Sequence, residues 1–338
     1  MVRGAIIGLG NVALDGHLPG WAARAGVEIV AVTDLERARR AEAAARLPGA
    51  RWFDSAEDLL AQPGLDFVDI CTPPSSHAPL IEAALARGVH VLCEKPLVRS
   101  RDELSRVSGL AAAARRVLHT VHNWHHAPIV RRTAELIRAG AVGRVTRVTW
   151  HTLRARPAAT RDGQGTNWRL DPSVSGGGIL TDHGWHVFYL VQRWVGARPV
   201  AVRARLEKRR HAALAVEDTA TVELTFPDAS AEILLTWAAD ERRNWAEVRG
   251  TAGTLEVQDD TLVLARGSAT ERWPCPPALS NGSAHPDWFA PVAGQFVAEI
   301  AAGEGHANLA EASLCVLLES LARESSRRGG ETLTVEPV

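Results

Sequence analysis

A short apolar strand that runs directly into a glycine loop constrains the fold of this chain more than any other feature. The strand is Ala5-Ile6-Ile7, and the loop Gly8-Leu9-Gly10-Asn11-Val12-Ala13 follows it without a gap. In this GxGxxA pattern the first glycine permits a tight turn, the second lets the backbone approach a pyrophosphate, and the small last residue lets a helix pack on the strand. The pattern predicts a strand-helix-strand unit that binds a dinucleotide.

The acidic residue that ends the next strand bears on which dinucleotide binds. The strand from Val27 to Thr33 is followed by Asp34, which can accept hydrogen bonds from ribose hydroxyls there, and this favours NAD. Asp34 could instead cap the helix that follows, an ordinary role for aspartate. NADP stays open because nearby arginines could bind a 2′-phosphate, although arginines on a helix are commonly solvated; they are Arg37, Arg39 and Arg40.

Two polar loops lie at strand ends in the region where strands and helices alternate, a pattern that predicts a doubly wound parallel sheet. The loops are Thr72-Pro73-Pro74-Ser75-Ser76-His77 and Glu94-Lys95-Pro96. Because a proline biases the preceding residue towards extended backbone, and open α/β sheets bind ligands at strand ends, Lys95 is the first candidate for chemistry. The alternatives are a solvated loop lysine and a His77 that belongs to the following helix.

The hydrophobic pattern changes at His122, which predicts a boundary between a domain over residues 1–121 and a second domain over residues 122–338. Strand-like runs with tight turns between Val200 and Val257 predict a mostly antiparallel sheet in the second domain. Two helices follow that sheet.

A helix predicted from Ile179 to Val195 follows three consecutive glycines. On it Asp182 and His186 lie four residues apart and hence on one face, with Tyr189 continuing the row. A carboxylate beside an imidazole suits acid-base chemistry.

Charge and composition exclude several classes of partner. Lys and Arg total 38 against 39 Asp and Glu, a net charge of -1, so there is no basic field to attract nucleic acid or an anionic membrane. No apolar run approaches the roughly 18 residues that cross a bilayer. The four cysteines are far apart, as expected of free thiols in a reducing compartment. We therefore expect a cytoplasmic protein with a small-molecule substrate.

These motifs, together with Asn167-Trp168-Arg169 and the glycines before Asp182, resemble the Gfo/Idh/MocA family of oxidoreductases over nearly the whole chain. The resemblance implies an α/β fold: an N-terminal Rossmann domain, then an α+β domain with a large, mostly antiparallel open sheet. It also implies a nicotinamide cofactor held in the cleft between the domains. A homodimer or homotetramer formed through the C-terminal sheet is expected on the same ground.

The resemblance implies roles for residues at matching positions. The catalytic residues would be Lys95, Asp182 and His186. Cofactor contacts would come from Gly8, Gly10, Asn11, Val12, Asp34, Thr72, Pro73, His77, Glu94 and Lys95. The candidates for substrate contact are His125, Trp168, Arg169 and Tyr189. One departure concerns the substrate: where relatives commonly show Asn-x-Arg-Phe-x-Pro, this chain reads Asn123-Trp124-His125-His126-Ala127-Pro128.

The implied reaction transfers a hydride between nicotinamide and the hydroxyl or keto carbon of a sugar, sugar derivative or cyclitol. His186 is the preferred proton acceptor because imidazole titrates near neutral pH, and Lys95 would polarise the oxygen. The opposite assignment, a desolvated Lys95 as the base, stays open. Four arginines could bind an acidic or phosphorylated group or lie solvated in loops: Arg154, Arg156, Arg161 and Arg169.

Three alternative functions stay open. The first is a zinc site, because histidines with helix-compatible spacing accompany Asp182: His122, His125, His126, His183 and His186. Such spacings arise easily among 13 histidines, so we expect no metal. The second is a non-enzymatic sensor that binds the dinucleotide and a sugar, against which the retained catalytic residues argue. The third is glycoside cleavage or epimer exchange with tightly held NAD and no net oxidation.

Overall fold

The computed structural model describes residues 1–160, 167–303 and 306–336 of the chain. Contacts group these residues into two compact units. The first consists mainly of residues 1–123 and 283–313, and the second mainly of residues 124–159, 167–282 and 314–336. No helix in the described part of the chain is long and apolar enough to cross a membrane.

The first unit contains a six-stranded sheet whose strands are all parallel. The strands are β1 (Val2–Ile7), β2 (Val27–Thr33), β3 (Arg51–Trp52), β4 (Phe67–Ile70), β5 (His90–Cys93) and β6 (Leu118–Thr120). Their order is β3-β2-β1-β4-β5-β6, so the winding reverses between β1 and β4. In this doubly wound order, ligands bind at the carboxyl ends of the strands where the winding reverses, which is where the glycine loop follows β1.

The α-helices in the described residues are α1 (Leu18–Ala22), α2 (Arg40–Arg46), α3 (Ala56–Leu60), α4 (His77–Ala86), α5 (Arg101–Ala114), α6 (Pro128–Arg138), α7 (Pro172–Ser175), α8 (Trp185–Val195), α9 (Pro286–Ala302) and α10 (His306–Arg327). Serines cap two of them. The hydroxyl of Ser55 accepts a hydrogen bond from the N–H of Asp58 at α3, and Ser100 accepts one from Glu103 at α5. Each such cap stabilises its helix by about 1 kcal/mol.

The core of the first unit includes a helix from late in the chain. Phe289 and Phe296 on α9 make edge contacts with Trp21 and Phe67, at centroid distances of 5.5 and 5.4 Å. Gly20 permits this approach, because a Cβ there would lie 2.5 Å from the Phe289 ring. Burial of each such side chain contributes about 1.5–3 kcal/mol, so α9 is an integral part of this unit.

The second unit contains a nine-stranded sheet in the order β14-β13-β12-β11-β7-β10-β9-β8-β15. Its strands are β7 (Val145–Leu153), β8 (Ala201–Glu207), β9 (Thr219–Thr225), β10 (Ser230–Thr236), β11 (Arg243–Gly250), β12 (Thr254–Gln258), β13 (Thr261–Arg266), β14 (Ala269–Pro274) and β15 (Leu333–Thr334). The β7–β10 pair is parallel and the other pairs are antiparallel. The predicted fold class, a Rossmann domain followed by a mostly antiparallel open sheet, is confirmed.

Two features of the second unit differ from the sequence-based expectation. No strand is predicted for β13 and β14; β14 is exposed along nearly its whole length, so it has no alternation of buried and exposed residues to detect. The predicted helix over Ile179–Val195 begins instead as a π turn, Leu180–Gly184, before α8. The prediction of one regular α-helix there is wrong, and Asp182 lies in the wider π turn.

Candidate active site

The glycine loop of the first unit leaves its backbone accessible to a ligand. Gly8 has a φ of +92°, and a Cβ there would lie 2.9 Å from the main chain of Cys71. At Gly10 a Cβ would meet nothing closer than the Arg39 guanidinium, 3.9 Å away. Asn11 and Val12 follow, half-buried, at the start of a helical segment. This geometry suits the close approach of a phosphate.

Asp34 holds the glycine loop and does not cap the next helix. Its Oδ2 atom accepts a hydrogen bond from the N–H of Leu9 at 2.6 Å and pairs with Nη1 of Arg39 at 3.0 Å. Its Oδ1 atom accepts from the N–H of Glu36 at 2.7 Å. Glu36 is the residue that caps the helical turn, through the N–H of Ala38, so the capping alternative for Asp34 is wrong.

His77 links the two polar loops at the strand ends. It is fully buried at the start of α4, which confirms the alternative that placed it in the helix, while Thr72 and Pro73 are half-buried. Its Nδ1 atom lies 2.8 Å from the carbonyl oxygen of Pro96, and its Nε2 atom lies 2.8 Å from that of Thr72. Burial lowers the pKa of His77, while the two carbonyl groups act in the opposite direction. A neutral ring donates one hydrogen bond, so His77 bonds to one of the two loops and packs against the other.

Lys95 follows β5 in a turn held by the side chain of its neighbour Glu94. The Lys95 side chain is half-buried, and its N–H donates a 2.9 Å hydrogen bond to Oε2 of Glu94. The Lys95–Pro96 peptide is cis. Burial alone would raise the pKa of Glu94, but His17 and Lys95 favour the carboxylate and hold its pKa below the ordinary value. A carboxylate therefore lies next to the candidate catalytic lysine.

A buried imidazole that was not expected from the sequence lies on the other side of Glu94. His17 has Nε2 3.0 Å from Oε1 of Glu94 and Nδ1 2.8 Å from Oδ2 of Asp69. Trp21 donates its indole N–H to the same Asp69 oxygen at 2.7 Å, and the Cys71 sulfur lies 3.1 Å from Nδ1. Burial opposes a charged imidazole, but Asp69 and Cys71 raise the pKa of His17 well above its ordinary value. A cation is therefore held between two carboxylates.

In the second unit, three of the predicted site residues lie together at the π turn. Nε of Arg169 is 3.8 Å from Oδ1 of Asp182, and the Arg169 guanidinium lies over the Trp168 ring at 4.3 Å. Nδ1 of His183 is 3.2 Å from Oδ2 of Asp182. The Asp182 carboxylate is 15% exposed, so it combines a positive neighbour, Arg169, with access to solvent. Such a carboxylate can accept hydrogen bonds from a hydroxylated ligand.

His186 lies in an aromatic cluster on the adjoining turn of α8. Its ring stacks on Trp124 at 4.4 Å with an interplanar angle of 5°, and its Nδ1 atom lies 2.9 Å from the Tyr189 hydroxyl. The Trp124 N–H donates to the same hydroxyl oxygen at 3.2 Å, and the His125 ring lies 4.4 Å from the Tyr189 ring. Tyr189 is fully buried. Its hydroxyl group therefore orients His186.

The glycines before the π turn make room for an ion-pair network. A Cβ at Gly177 would collide with the Arg323 guanidinium, and one at Gly178 with the Glu217 carbonyl. Arg323 donates to Thr181 at 2.6 Å and pairs with Glu217 at 3.1 Å. Burial opposes its charge, yet neighbouring glutamates raise the pKa of Arg323. This network anchors the segment that carries Asp182.

Arg154, one of the arginines considered for an acidic substrate, is buried among main-chain groups. Its Nη1 atom donates to the carbonyl oxygens of Leu153 and Arg243, and its Nη2 atom to Oδ1 of Asn244. Burial lowers the pKa of Arg154 to about 10. Arg154 therefore braces strand ends, while Arg161 lies outside the described residues.

The buried partners of the site residues had only a weak signal in the sequence. Asp69 is a charged residue inside the apolar strand β4, and a buried charge requires a partner. That partner, His17, is 52 residues away in sequence, so no local pattern could identify it. Trp124 contributes a ring and a main-chain N–H, and nothing in its spacing indicated either contact.

Comparisons with known proteins cover both halves of the chain. Residues 2–122 match a model described as an oxidoreductase family with an NAD-binding Rossmann fold, and residues 130–256 match the GFO/IDH/MocA C-terminal domain. A D-apiose dehydrogenase from Paraburkholderia graminis is 29% identical over 273 residues, covering 76% of this chain and 68% of that protein.

Two further similarities bear on cofactor and fold. A D-xylose 1-dehydrogenase (NADP(+)) from Haloferax volcanii is 35% identical over 153 residues, which span 45% of each protein. The solved structure of a levoglucosan dehydrogenase with NADH and levoglucosan has a TM-score of 0.86 over 100% of both chains at 22% identity. At that identity the likeness establishes a shared fold.

Proposed function

The chain belongs to the Gfo/Idh/MocA family of oxidoreductases, and from that premise we propose that it transfers a hydride between a nicotinamide cofactor and the hydroxyl or keto carbon of a sugar, sugar derivative or cyclitol. The observation that carries this proposal is the match of both family models in sequence order. The D-apiose and D-xylose dehydrogenases among its relatives support a sugar as the substrate.

The residues of the glycine loop fit a dinucleotide. The space beside Gly10 is open enough for a pyrophosphate to approach the backbone, and the N–H groups at the start of the following helix can bind an anion. In this proposal Gly8, Gly10, Asn11 and Val12 hold the pyrophosphate, and Thr72, Pro73 and Glu94 form the neighbouring wall. The buried His77 supports that wall from behind through Thr72. When bound, the nicotinamide supplies or accepts the hydride.

We favour NAD, and the Asp34–Arg39 pair supports this choice. The Asp34 carboxylate is fixed by Leu9 and Arg39, so it is preorganised to accept hydrogen bonds from two ribose hydroxyls. A 2′-phosphate would repel that carboxylate and would have to recruit Arg39 away from it. Arg37 pairs instead with Asp54 at 3.6 Å on the surface. NADP is therefore the poorer ligand, because its binding requires the Asp34 carboxylate to move.

Lys95 and His186 share the handling of the substrate oxygen in this proposal. The Lys95 ammonium donates a hydrogen bond to that oxygen and stabilises negative charge as it develops. Nε2 of His186 exchanges the hydroxyl proton, since the ring is oriented through Nδ1 by Tyr189. Asp182, held near Arg169, accepts a hydrogen bond from a second substrate hydroxyl. The remaining proposed substrate contacts are His125 and Trp168. Tyr189, also predicted as a substrate contact, is fully buried, and in this proposal it acts through His186.

The two halves of the chain take different tasks. We propose that residues 1–121 bind the nucleotide and that residues 122–338 bind the substrate and form a homodimer or homotetramer. Along β9 and β10, buried residues alternate with more exposed ones, which gives the sheet a second face available for association. Light scattering after size-exclusion chromatography tests the oligomer: a strictly monomeric protein would contradict it.

A panel of aldoses and cyclitols with NAD and NADP tests the activity, read by the absorbance of reduced nicotinamide. The proposal expects reduced cofactor with at least one aldose and a higher kcat/KM for NAD. A sensor would bind cofactor and sugar with no conversion of either. An epimerase or glycosidase would convert the sugar and release no reduced cofactor, and chromatography of the products distinguishes these outcomes.

A further inference from the structure

His17 connects two strand ends of the first unit through a buried chain of charges. Asp69 lies in β4 and Glu94 directly follows β5, and both carboxylates contact the His17 ring. The ring is 1% exposed, and Phe289 stacks on its face at a centroid distance of 3.8 Å. Water therefore has little access to these hydrogen bonds, which makes them rigid and electrostatically strong.

We propose that His17 is a positioning residue for the reaction: its imidazole holds the Glu94 carboxylate, and Glu94 in turn fixes the backbone that carries Lys95. This inference rests on the proposed function of Lys95 as the group that contacts the substrate oxygen. It assigns His17, a residue outside the predicted catalytic and cofactor-binding sets, a role in turnover.

The hydrogen-bond geometry specifies a doubly protonated ring. Both ring nitrogens of His17 face carboxylate oxygens, at 2.8 Å to Asp69 and 3.0 Å to Glu94. A carboxylate only accepts, and a neutral imidazole can donate one hydrogen bond, so an imidazolium is needed to satisfy both partners. The charged ring also offsets the cost of burying two carboxylates.

The effect of His17 reaches Lys95 through the two oxygens of Glu94. Oε1 is bound to the imidazole, and Oε2 accepts the N–H of Lys95 at 2.9 Å. The hydrogen bond at Oε1 fixes the orientation of the carboxylate and therefore also the position of Oε2. The peptide group between Glu94 and Lys95, which donates to Oε2, is held in place as a result. Without the imidazole, Glu94 can rotate away and the lysine loses its preorganised position.

A metal ion is the competing occupant of this cluster. The potential donor atoms of His17, Asp69 and Cys71 lie within 4.8 Å of one another. The 2.8 Å separation of Nδ1 and Oδ2 is that of a hydrogen bond, and Trp21 already donates to the same oxygen. These contacts favour the imidazolium. Stoichiometric zinc in untagged protein, absent from the His17→Gln variant, would overturn the proposal.

Kinetics of the His17→Gln variant test the positioning role. We expect kcat to fall by about 10- to 100-fold with the KM values for sugar and NAD nearly unchanged. In a double-mutant cycle with Glu94→Gln, the two losses should be strongly non-additive because His17 acts through Glu94. Additive losses, or an unchanged kcat, would contradict the proposal.

The matched control is His119→Gln in the same unit. His119 is also buried and pairs with a carboxylate, that of Glu299, at 2.7 Å. This variant measures the general effect on kcat of removing a buried, paired histidine, and its kcat should equal that of the wild type. An equal loss of kcat in both variants would reduce His17 to a structural role.

A second readout needs no substrate, because the chain contains only two lysines, Lys95 and Lys208. Reductive methylation with ¹³C-formaldehyde labels both, together with the terminal amine, and a Lys208→Arg variant assigns the NMR signals. His17→Gln should shift the Lys95 methyl signal and leave that of the exposed Lys208 unchanged. An unshifted Lys95 signal would refute the link between His17 and Lys95, even if the wild type reduces NAD. A wild-type protein that is inactive on every sugar would refute only the proposed dehydrogenase function.

Discussion

The Nδ1 atom of His186 lies 2.9 Å from the hydroxyl oxygen of Tyr189, which also accepts the main-chain N–H of Trp124 at 3.2 Å. A hydroxyl group can accept from Nδ1–H or donate to a bare Nδ1, so this contact persists whether or not the ring carries a proton there. The Trp124 ring stacked on His186 prevents the imidazole from tilting. Nε2 therefore keeps one orientation through proton exchange.

Tyr189→Phe removes this hydroxyl while keeping the aromatic ring. The buried Trp124 N–H loses its partner, so we expect a loss of about 1–3 kcal/mol in the free energy of unfolding. The kcat should fall by up to about 100-fold, with KM little changed. His186→Ala should cost roughly 10²- to 10⁴-fold in kcat and remove an ionisation from the pH profile. Tyr189→Phe with wild-type kcat and pH profile would contradict this arrangement.

Lys95→Met should fold and bind NAD with a Kd within about tenfold of the wild-type value. Its kcat should fall by about 10²- to 10³-fold, because a donor to the developing oxyanion is lost. Cofactor fluorescence titration and steady-state rates measure the two effects. The control is Lys208→Met, which removes the other lysine of the chain, an exposed one, and should be fully active. An active Lys95→Met enzyme would refute the assigned role.

Asp34→Ala should shift cofactor preference towards NADP. The substitution removes the carboxylate that repels a 2′-phosphate. It also releases Arg39, which in the wild type pairs with Asp34 at 3.0 Å. Hydrogen bonds to a charged group contribute about 1.5–3 kcal/mol, so the NAD to NADP ratio of kcat/KM should fall by roughly 10- to 100-fold. Arg37→Ala, which removes another arginine of the same helical turn, is the control, and its ratio should not change. A ratio unaffected by Asp34→Ala would show that another residue selects the cofactor.

The raised pKa of His17 gives wild-type stability a pH dependence of definite sign. A raised pKa contributes stability that is fully present below the unfolded value of about 6.5 and is lost as the pH rises through the folded-state pKa. The comparison protein combines His17→Gln, Asp69→Asn and Glu94→Gln, which keeps hydrogen-bonding groups but removes the titrating ones. The Tm difference between the two proteins should shrink from pH 6.5 to 9. A constant difference would show that His17 is not charged in the fold.

Local signals in the sequence predicted much of the fold. The glycine loop lies at the end of β1, and Ser100, which precedes Glu103 by three residues in the pattern of a capping box, caps the start of α5. Pro128 and Gly140, residue types that favour the start and the end of a helix, lie at the first residue of α6 and two residues after its last. In each case the residues that determine the structure lie within a few positions of one another, so their pattern can be recognised from the sequence alone.

The remaining features depend on contacts that are distant in sequence. The π turn at Asp182 is stabilised around Arg323, which is 142 residues away from its partner Thr181. The pairing of His17 with Glu94 spans 77 residues. The roles of Lys95, Asp182 and His186 also stay predictions, because a role in catalysis depends on what each side chain contacts when substrate binds.

Transfer of deuterium from sugar carbon to cofactor tests whether this protein moves a hydride between a sugar and nicotinamide. The wild-type enzyme is incubated with NAD and uniformly deuterated aldoses or cyclitols, and the reduced cofactor is analysed by mass spectrometry. We expect one deuterium per reduced nicotinamide with the wild type and almost no reduced product with Lys95→Met. Reduced cofactor without deuterium, or no reduced cofactor with any of these substrates, would contradict it.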